Sequence, residues 1–153
     1  MIRLETHSVW VGNAAECRDS ARIRSLGITA VVDLAVNEPP PVLSRELAVC
    51  RFPLHDGMSN PTWLLAAAIG CVAGLVRARV PTFVCCSAGM SRAPTIASVG
   101  IAKARGIDPS EVLAEIAKLQ HVDISPGLWA AATAAMHKRD YRFDLDDKEK
   151  GGA

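Results

Sequence analysis

The chain has 153 residues, of which 50% are hydrophobic, and its 17 basic and 16 acidic side chains give a formal net charge of +1. This length predicts one domain with a core large enough to fold without disulfides, and the balanced charge excludes a global attraction to nucleic acid or to an anionic membrane. The five cysteines are irregularly spaced, which argues against a disulfide framework or a zinc site and indicates the reducing cytoplasm.

The first half of the chain predicts strands that alternate with one helix. The opening residues carry charges and no continuous apolar segment, so we expect no signal peptide, and residues 8–12 predict a strand. A helix follows, with a capping box that begins at Asn13 and an end at Gly27. The nearly continuous apolar residues 28–36 are typical of a strand buried on both faces. The prolines of "NEPPPV" predict a loop before a strand at 47–54.

The second half of the chain predicts four helices and one further strand. Asn60 and Pro61 begin the first helix, whose apolar residues 63–76 are too few to span a bilayer and indicate a buried helix. Residues 81–85 predict a buried strand. The remaining helices are predicted from Arg92 to Gly106, from the cap Asp108, and from the cap Ser125 to a point near Arg139.

This alternation of strands and helices predicts the architecture. It indicates an α/β domain with a mostly parallel central sheet of about four to five strands flanked by helices. We expect a monomeric domain over residues 1–141, and we expect the polar residues 142–153 to form a disordered tail. In such sheets the active crevice lies beyond the carboxyl ends of the strands, and Cys86 follows one such end.

The sequence "CSAGMSR" at residues 86–92 directly follows the strand predicted at 81–85. The strand would deliver the Cys86 sulfur to the crevice, and the next loop can turn its backbone N–H groups inward as an anion nest at a helix start. Gly89 would permit the tight turn, and the Arg92 guanidinium could bind two phosphate oxygens. The same amides would stabilise a thiolate, which makes Cys86 the candidate nucleophile.

Two alternatives to this interpretation of the loop remain open at the level of the residues. Counting from Cys85 puts six residues before Arg92 and displaces Gly89, which favours Cys86 as the nucleophile. The simpler alternative is a buried cysteine pair at a strand end, with Arg92 exposed on a helix. The residues expected to form the phosphate-binding loop are Ser87, Ala88, Gly89, Met90, Ser91 and Arg92.

The segment "VCCSAGMSRAPT" resembles the signature loop of the cysteine-dependent dual-specificity phosphatases, which belong to the protein tyrosine phosphatase superfamily. "VWVGNAAECRDSARIRSLGITAVVDLA" resembles that family's opening strand, helix and strand. "FPLHDGMSN" resembles its general-acid loop, and "VDISPGLWAAATAAM" resembles its last core helix, so the resemblance extends over residues 8–138. It implies the family's α/β fold and a hydrolysis of phosphomonoesters through a phosphocysteine, with no metal and no cofactor.

Asp56 is the candidate general acid. From the residues alone, this loop aspartate either protonates the leaving oxygen or caps the turn at Gly57. The resemblance implies the first role and implies that the same carboxylate then activates water. Of the neighbouring polar residues, Asn60 is expected to cap the next helix, and Asp33 is expected to tie loops together by hydrogen bonds.

Two positions depart from the family's pattern, which has His before the nucleophile and Ser or Thr after the arginine. Here Cys85 and Ala93 occupy these positions. Cysteine is a weaker hydrogen-bonding group, and alanine has no hydroxyl that could donate to the departing sulfur, so we expect slow turnover. The first hypothesis is therefore a working but slow protein phosphatase acting on phosphotyrosine, phosphoserine or phosphothreonine. The second is a phosphate-binding module without turnover.

The remaining expectations concern partners. The substrate is expected to be a phosphorylated protein or a small phosphomonoester, and no nucleic acid, membrane or metal is expected to bind. Sulfur transfer and arsenate reduction also use a cysteine in an anion-binding loop, but no motif for a resolving cysteine supports either reaction. No pattern around His7, His121 or His137 suggests more than exposure to solvent.

Overall fold

A β-sheet forms the centre of the molecule. The computed structural model describes residues 1–57 and 59–138, and within them the sheet has five strands. These are β1 (Ile2–Leu4), β2 (Val9–Asn13), β3 (Ala30–Ala35), β4 (Ala48–Leu54) and β5 (Thr82–Cys86). Their order is β1-β2-β5-β3-β4, with β1 antiparallel to β2 and the other pairs parallel. The predicted α/β class and mostly parallel sheet are confirmed.

Helices cover both faces of the sheet. They are α1 (Ala14–Cys17), α2 (Ser20–Ser25), α3 (Thr62–Arg77), α4 (Arg92–Arg105), α5 (Pro109–Leu119) and α6 (Pro126–Ala135). The larger core lies between the sheet and α3, α4, α5 and α6, and a smaller core lies under α2 on the other face. Because β3 and β5 are covered on both faces, every residue of these two strands is buried.

The first part of the chain differs in three ways from its prediction. The helix predicted from Asn13 to Gly27 is two short helices, because Asp19 accepts a hydrogen bond from the Arg22 amide and starts α2 anew. The capping box at Asn13 is confirmed. Strand β1 was not predicted, because it has only three residues. His7, which was expected to be exposed, is only 9% exposed.

The helix starts at Asp108 and Ser125 are confirmed, since both side chains accept hydrogen bonds from the first turns of α5 and α6. The last helix ends at Ala135, four residues before its predicted end. None of the helices in residues 1–57 and 59–138 is long and apolar enough to cross a lipid bilayer. The predicted domain end at residue 141 and the predicted tail at 142–153 lie outside the described residues.

Close packing between α3 and α4 fixes the position of the site. A Cβ atom added to Gly100 on α4 would lie 2.6 Å from the Cβ atom of Val72 on α3, so only glycine allows the two helices to approach this closely. Residues 92–102 of α4 are all buried, which makes this helix the centre of the larger core. Its first residue is Arg92, so core packing directly positions one end of the candidate phosphate-binding loop.

Candidate active site

The loop between β5 and α4 turns its carbonyl groups away from its own centre. The Ser87 carbonyl accepts from the Ala14 amide at 3.3 Å. The Gly89 carbonyl accepts from the Gln120 side-chain amide at 2.7 Å, and the Met90 carbonyl accepts from the Asp123 backbone amide at 3.0 Å. Because the carbonyls are held outward by neighbouring segments, the peptide N–H groups of the loop are left facing inward.

One of these inward amides contacts the sulfur of Cys86. The Gly89 amide donates to Cys86 Sγ at 3.2 Å. In the described part of the chain, the loop's other backbone amides have no acceptor; they belong to Ser87, Ala88, Met90, Ser91 and Arg92. Such a row of free amides at a helix start attracts an anion.

Gly89 is required by the loop's conformation and by its closeness to β2. Its φ of +77° lies in the left-handed region that favours glycine. A Cβ atom at this position would also lie 2.8 Å from the carbonyl carbon of Gly12. The backbone of β2 therefore leaves no space for a side chain here, and the loop can close only with glycine.

Arg92 is buried against neutral acceptors, with 7% of its surface exposed. Its Nη1 donates to Asn37 Oδ1 at 2.9 Å and to the Leu54 carbonyl at 3.0 Å, and its Nη2 donates to Ser87 Oγ at 3.0 Å. None of the ion pairs among residues 1–57 and 59–138 involves this guanidinium. The alternative of an arginine exposed on a helix surface is therefore wrong.

The unused hydrogens of Arg92 form a fork. A guanidinium carries five N–H hydrogens, and three of them meet the acceptors on Asn37, Leu54 and Ser87. The Nε hydrogen is buried without a partner among the described residues. It lies on the same edge of the guanidinium as the remaining Nη2 hydrogen, so the two can bind two oxygens of one phosphate group in parallel.

Asp56 lies beside the phosphate-binding loop. The Ser91 hydroxyl donates to Asp56 Oδ1 at 2.6 Å and accepts from the Ser125 amide at 3.1 Å. The resulting pocket opens to solvent and contains about 300 Å³ of empty space. Its walls are formed by Asp56, Cys86, Ala88, Met90, Ser91, Arg92 and Asp123. The structure thus brings the three candidate catalytic residues to one pocket.

The loop that carries Asp56 is closed by Asn60. The Asn60 side chain accepts from the His55 amide at 2.8 Å and donates to the carbonyls of His55 at 2.8 Å and Gly57 at 3.2 Å. The prediction that Asn60 caps α3 is wrong, because its amide group is spent on the loop and α3 begins after Pro61 without a side-chain cap. The loop that carries Asp56 is therefore stabilised by the Asn60 side chain, which belongs to the same loop.

Cys85 and Cys86 point to opposite faces of the sheet, as neighbours on a strand do. Cys86 packs in the larger core, whereas Cys85 packs in the smaller one beside Cys17. A hydrogen bond with Cys17, together with burial, raises the pKa of the Cys85 thiol. Cys85 therefore has no contact with the pocket, which supports the count from Cys86.

Polar residues behind the pocket hold the loop after β3. Asp33 Oδ1 accepts from the Ala35 amide at 3.0 Å, and Asp33 Oδ2 lies 3.2 Å from Arg51 Nε. Arg51 also donates to the carbonyls of Ala35 at 3.1 Å and Glu38 at 2.9 Å. The structural role expected for Asp33 agrees with these contacts. In residues 1–57 and 59–138, no cluster of three or more His, Cys, Asp or Glu side chains could hold a metal ion.

Sequence reasoning missed three residues of the site, namely Asn37, Gln120 and Asp123. Asn37 follows the carboxyl end of β3, which is the neighbour of β5 in the sheet. The rule that crevices lie beyond such ends could have found it. Gln120 and Asp123 lie far from the loop in sequence and follow α5, so no local pattern indicates their contacts with it.

This chain is related to known proteins by its structure. No protein-family model matches it, and no curated protein sequence matches it. Solved structures do match. The crystal structure of human DUSP28 aligns with a TM-score of 0.77 at 19% identity, covering 89% of this chain and 95% of the other. DUSP15 aligns with a TM-score of 0.69 at 18% identity, covering 86% and 84%.

Two further matches broaden the group. A human tyrosine phosphatase-like serine/threonine/tyrosine-interacting protein aligns with a TM-score of 0.70 at 14% identity, covering 83% of this chain and 89% of the other. PTPMT1 in complex with PI(5)P aligns with a TM-score of 0.63 at 17% identity, covering 85% and 90%. The described chain therefore has the fold of the dual-specificity phosphatases.

Proposed function

We propose that the protein is a cysteine-dependent phosphatase that hydrolyses phosphomonoesters on proteins or on small molecules. The observation that carries this proposal is the buried Arg92 guanidinium, which meets only neutral oxygens and keeps a free N–H fork. A buried cation without a counter-ion is unfavourable unless an anion joins it. The same loop has free backbone amides and carries Cys86 at its start, so the favoured anion is a phosphate held above Cys86.

In the first step the Cys86 thiolate attacks phosphorus. The amide of Gly89 donates to Sγ and so holds the sulfur beside the free amides of the loop. A phosphorus–sulfur bond forms and the phosphorus–oxygen ester bond breaks. The charge on the equatorial phosphate oxygens is stabilised by the loop amides and by Arg92. The product on the protein is a phosphocysteine.

Asp56 supplies the proton that the leaving oxygen needs. Its Oδ1 is occupied by the Ser91 hydroxyl, so Oδ2 is the oxygen available to carry this proton. In the second step the resulting carboxylate takes a proton from water while the water oxygen attacks phosphorus. The phosphorus–sulfur bond breaks, and inorganic phosphate and the Cys86 thiolate are released.

The charge around the pocket favours phosphoproteins or small phosphomonoesters over polyanions. Asp123 lines the pocket beside the anion nest, and Asp56 becomes a second carboxylate there once the leaving oxygen has taken its proton. The Asp123 carboxylate would repel further phosphate groups near the one being cleaved. The side chain of Met90 is partly exposed at the rim and offers an apolar contact to the rest of the substrate. Action as a monomer in the cytoplasm, without nucleic acid or membrane, remains our expectation.

The alternative function is phosphate binding without turnover. Its support is Ala93, which is fully buried and provides no hydroxyl for the sulfur. Among the described residues, the Gly89 amide is the one group that donates a hydrogen bond to Cys86 Sγ. With a single donor to sulfur, the phosphocysteine would break down slowly.

Hydrolysis of 4-nitrophenyl phosphate by wild type and by Cys86→Ser tests the two functions. We expect turnover by wild type and a loss of about 10³-fold or more in the variant, because serine is a far weaker nucleophile at neutral pH. Intact-mass spectrometry of wild type quenched during turnover should detect one added phosphoryl group. Turnover that survives in Cys86→Ser would exclude the covalent mechanism. Phosphate binding without turnover in wild type would establish the alternative.

A further inference from the structure

Asn37 accepts hydrogen bonds from Arg92 and from Ser87, which is itself a partner of Arg92. Its Oδ1 accepts from Arg92 Nη1 at 2.9 Å and from the Ser87 hydroxyl at 2.8 Å. Ser87 Oγ in turn accepts from Arg92 Nη2 at 3.0 Å. Because an arginine has only donors, the atom of Asn37 that faces it must be the amide oxygen. The three side chains thus form a closed triangle of hydrogen bonds.

The two oxygens of this triangle take the place that a carboxylate would take. Asn37 Oδ1 and Ser87 Oγ lie 2.8 Å apart and meet the two different terminal nitrogens of Arg92. A carboxylate at this position would bind the same nitrogens in parallel. It would also cancel the positive charge, whereas an amide and a hydroxyl oxygen orient the guanidinium and leave its charge intact.

We propose that Asn37 is a positioning residue that holds Arg92 in its phosphate-binding orientation without neutralising it. This inference rests on the proposed function and assigns to the loop after β3 a role in phosphate affinity. The side chain of Asn37 is exposed, but its loop is fixed from behind, since Arg51 donates to the carbonyls of Ala35 and Glu38. A neutral acceptor is therefore held at the right place by the fold.

Two substitutions separate orientation from charge. Asn37→Asp keeps the shape and the acceptor but adds a carboxylate beside Arg92, whereas Asn37→Ala removes the acceptor and adds no charge. We expect Asn37→Asp to raise the inhibition constant of inorganic phosphate and the KM for 4-nitrophenyl phosphate by about tenfold or more. We expect Asn37→Ala, which frees the guanidinium but keeps its charge, to lower kcat and to raise the phosphate inhibition constant by no more than about threefold.

Val42→Asp is the matched control. Val42 lies in the same loop and is 91% exposed, and no contact joins it to the pocket. The control adds the same charge to the same segment and should leave the phosphate inhibition constant unchanged. The rise in thermal stability caused by inorganic phosphate gives a second readout of affinity, and it requires no turnover.

The outcomes distinguish this inference from the proposed function. If Asn37→Asp weakens phosphate binding no more than Asn37→Ala or Val42→Asp does, the inference is wrong, even where wild type is an active phosphatase. If wild type neither hydrolyses 4-nitrophenyl phosphate nor gains stability from phosphate, the proposed function itself fails. A tenfold loss of affinity in Asn37→Asp alone would support the inference.

Discussion

Ser91 is the residue at which three segments of the site meet. Its hydroxyl donates to Asp56 Oδ1, and its oxygen accepts from the Ser125 amide at the start of α6. Ser91 is itself buried in the phosphate-binding loop. One hydroxyl therefore fixes the distance between the candidate acid and the phosphate site, and a shift of this carboxylate would impair proton transfer to the leaving oxygen.

This role makes the effect of Ser91→Ala depend on the leaving group. We expect kcat/KM, which reports the step in which the leaving oxygen departs, to fall about tenfold for phenyl phosphate, whose leaving oxygen needs a proton, and to fall less for 4-nitrophenyl phosphate, whose leaving oxygen does not. Steady-state kinetics with both substrates check this. Asp56→Asn provides the limit in which the acid is absent. Equal losses on both substrates in both variants would argue against the assignment of Asp56 as the acid.

At the scale of the elements, glycine sets the distance between α3 and α4. Gly100 packs against Val72, and an added methyl group would overlap it. We expect Gly100→Ala to lower the free energy of unfolding by about 1–3 kcal/mol, because the two helices must separate or strain. Urea denaturation followed by circular dichroism measures this change.

Gly74 provides the matched control for Gly100. It lies within α3 on an exposed face, where an added Cβ atom would meet nothing within 4 Å. Gly74→Ala should therefore raise the free energy of unfolding by about 0.5–1 kcal/mol through helix propensity. Opposite signs for the two substitutions are expected. A stabilising effect of Gly100→Ala would show that the helix contact is looser than described.

The sequence predicted the elements well where local chemistry decides them. Nearly continuous apolar residues indicated β3 and β5, and capping residues indicated the starts of α5 and α6. It failed where the same residue has two uses. Asn60 has the side chain of a helix cap, but its amide closes the Asp56 loop instead, because an amide can serve both backbone donors and acceptors.

The site could be predicted only in part for a related reason. The spacing of Cys86, Gly89 and Arg92 is local, so the sequence reveals it. Contacts made by Asn37 and Gln120 join segments that are far apart in the chain, and they exist only after the sheet and α5 have assembled. Such long-range partners leave no periodic pattern in a single sequence.

At the scale of the whole molecule, His7 links stability to pH. Burial is the largest influence on this imidazole and lowers its pKa; Arg105 also lowers it, while Glu115, 3.7 Å away, opposes the shift. As the pH falls, the His7 imidazole of the unfolded chain binds a proton at a pH of about 6.5, which is higher than the pH at which it does so in the folded protein. The contribution of the neutral His7 side chain to the free energy of unfolding is therefore complete above this pH and is lost as the pH falls below it.

We expect the free energy of unfolding to decline between pH 7.5 and pH 5.5, and to decline less in His7→Gln, which cannot bind the proton. Urea midpoints at the two pH values, measured for both proteins, provide the test. The comparison isolates His7 and its contact with Glu115, because the other titrating side chains are the same in both proteins. An identical decline in the two proteins would exclude His7 as the source.

The sheet separates two chemically different sulfur environments. Successive positions on β5 direct Cys85 into an apolar layer with Cys17 and Trp10, and direct Cys86 to the side that borders the open pocket. A small electrophile or oxidant that diffuses into the pocket meets one thiol, although the chain carries two in succession. The strand thus shields one reactive group while it displays its neighbour.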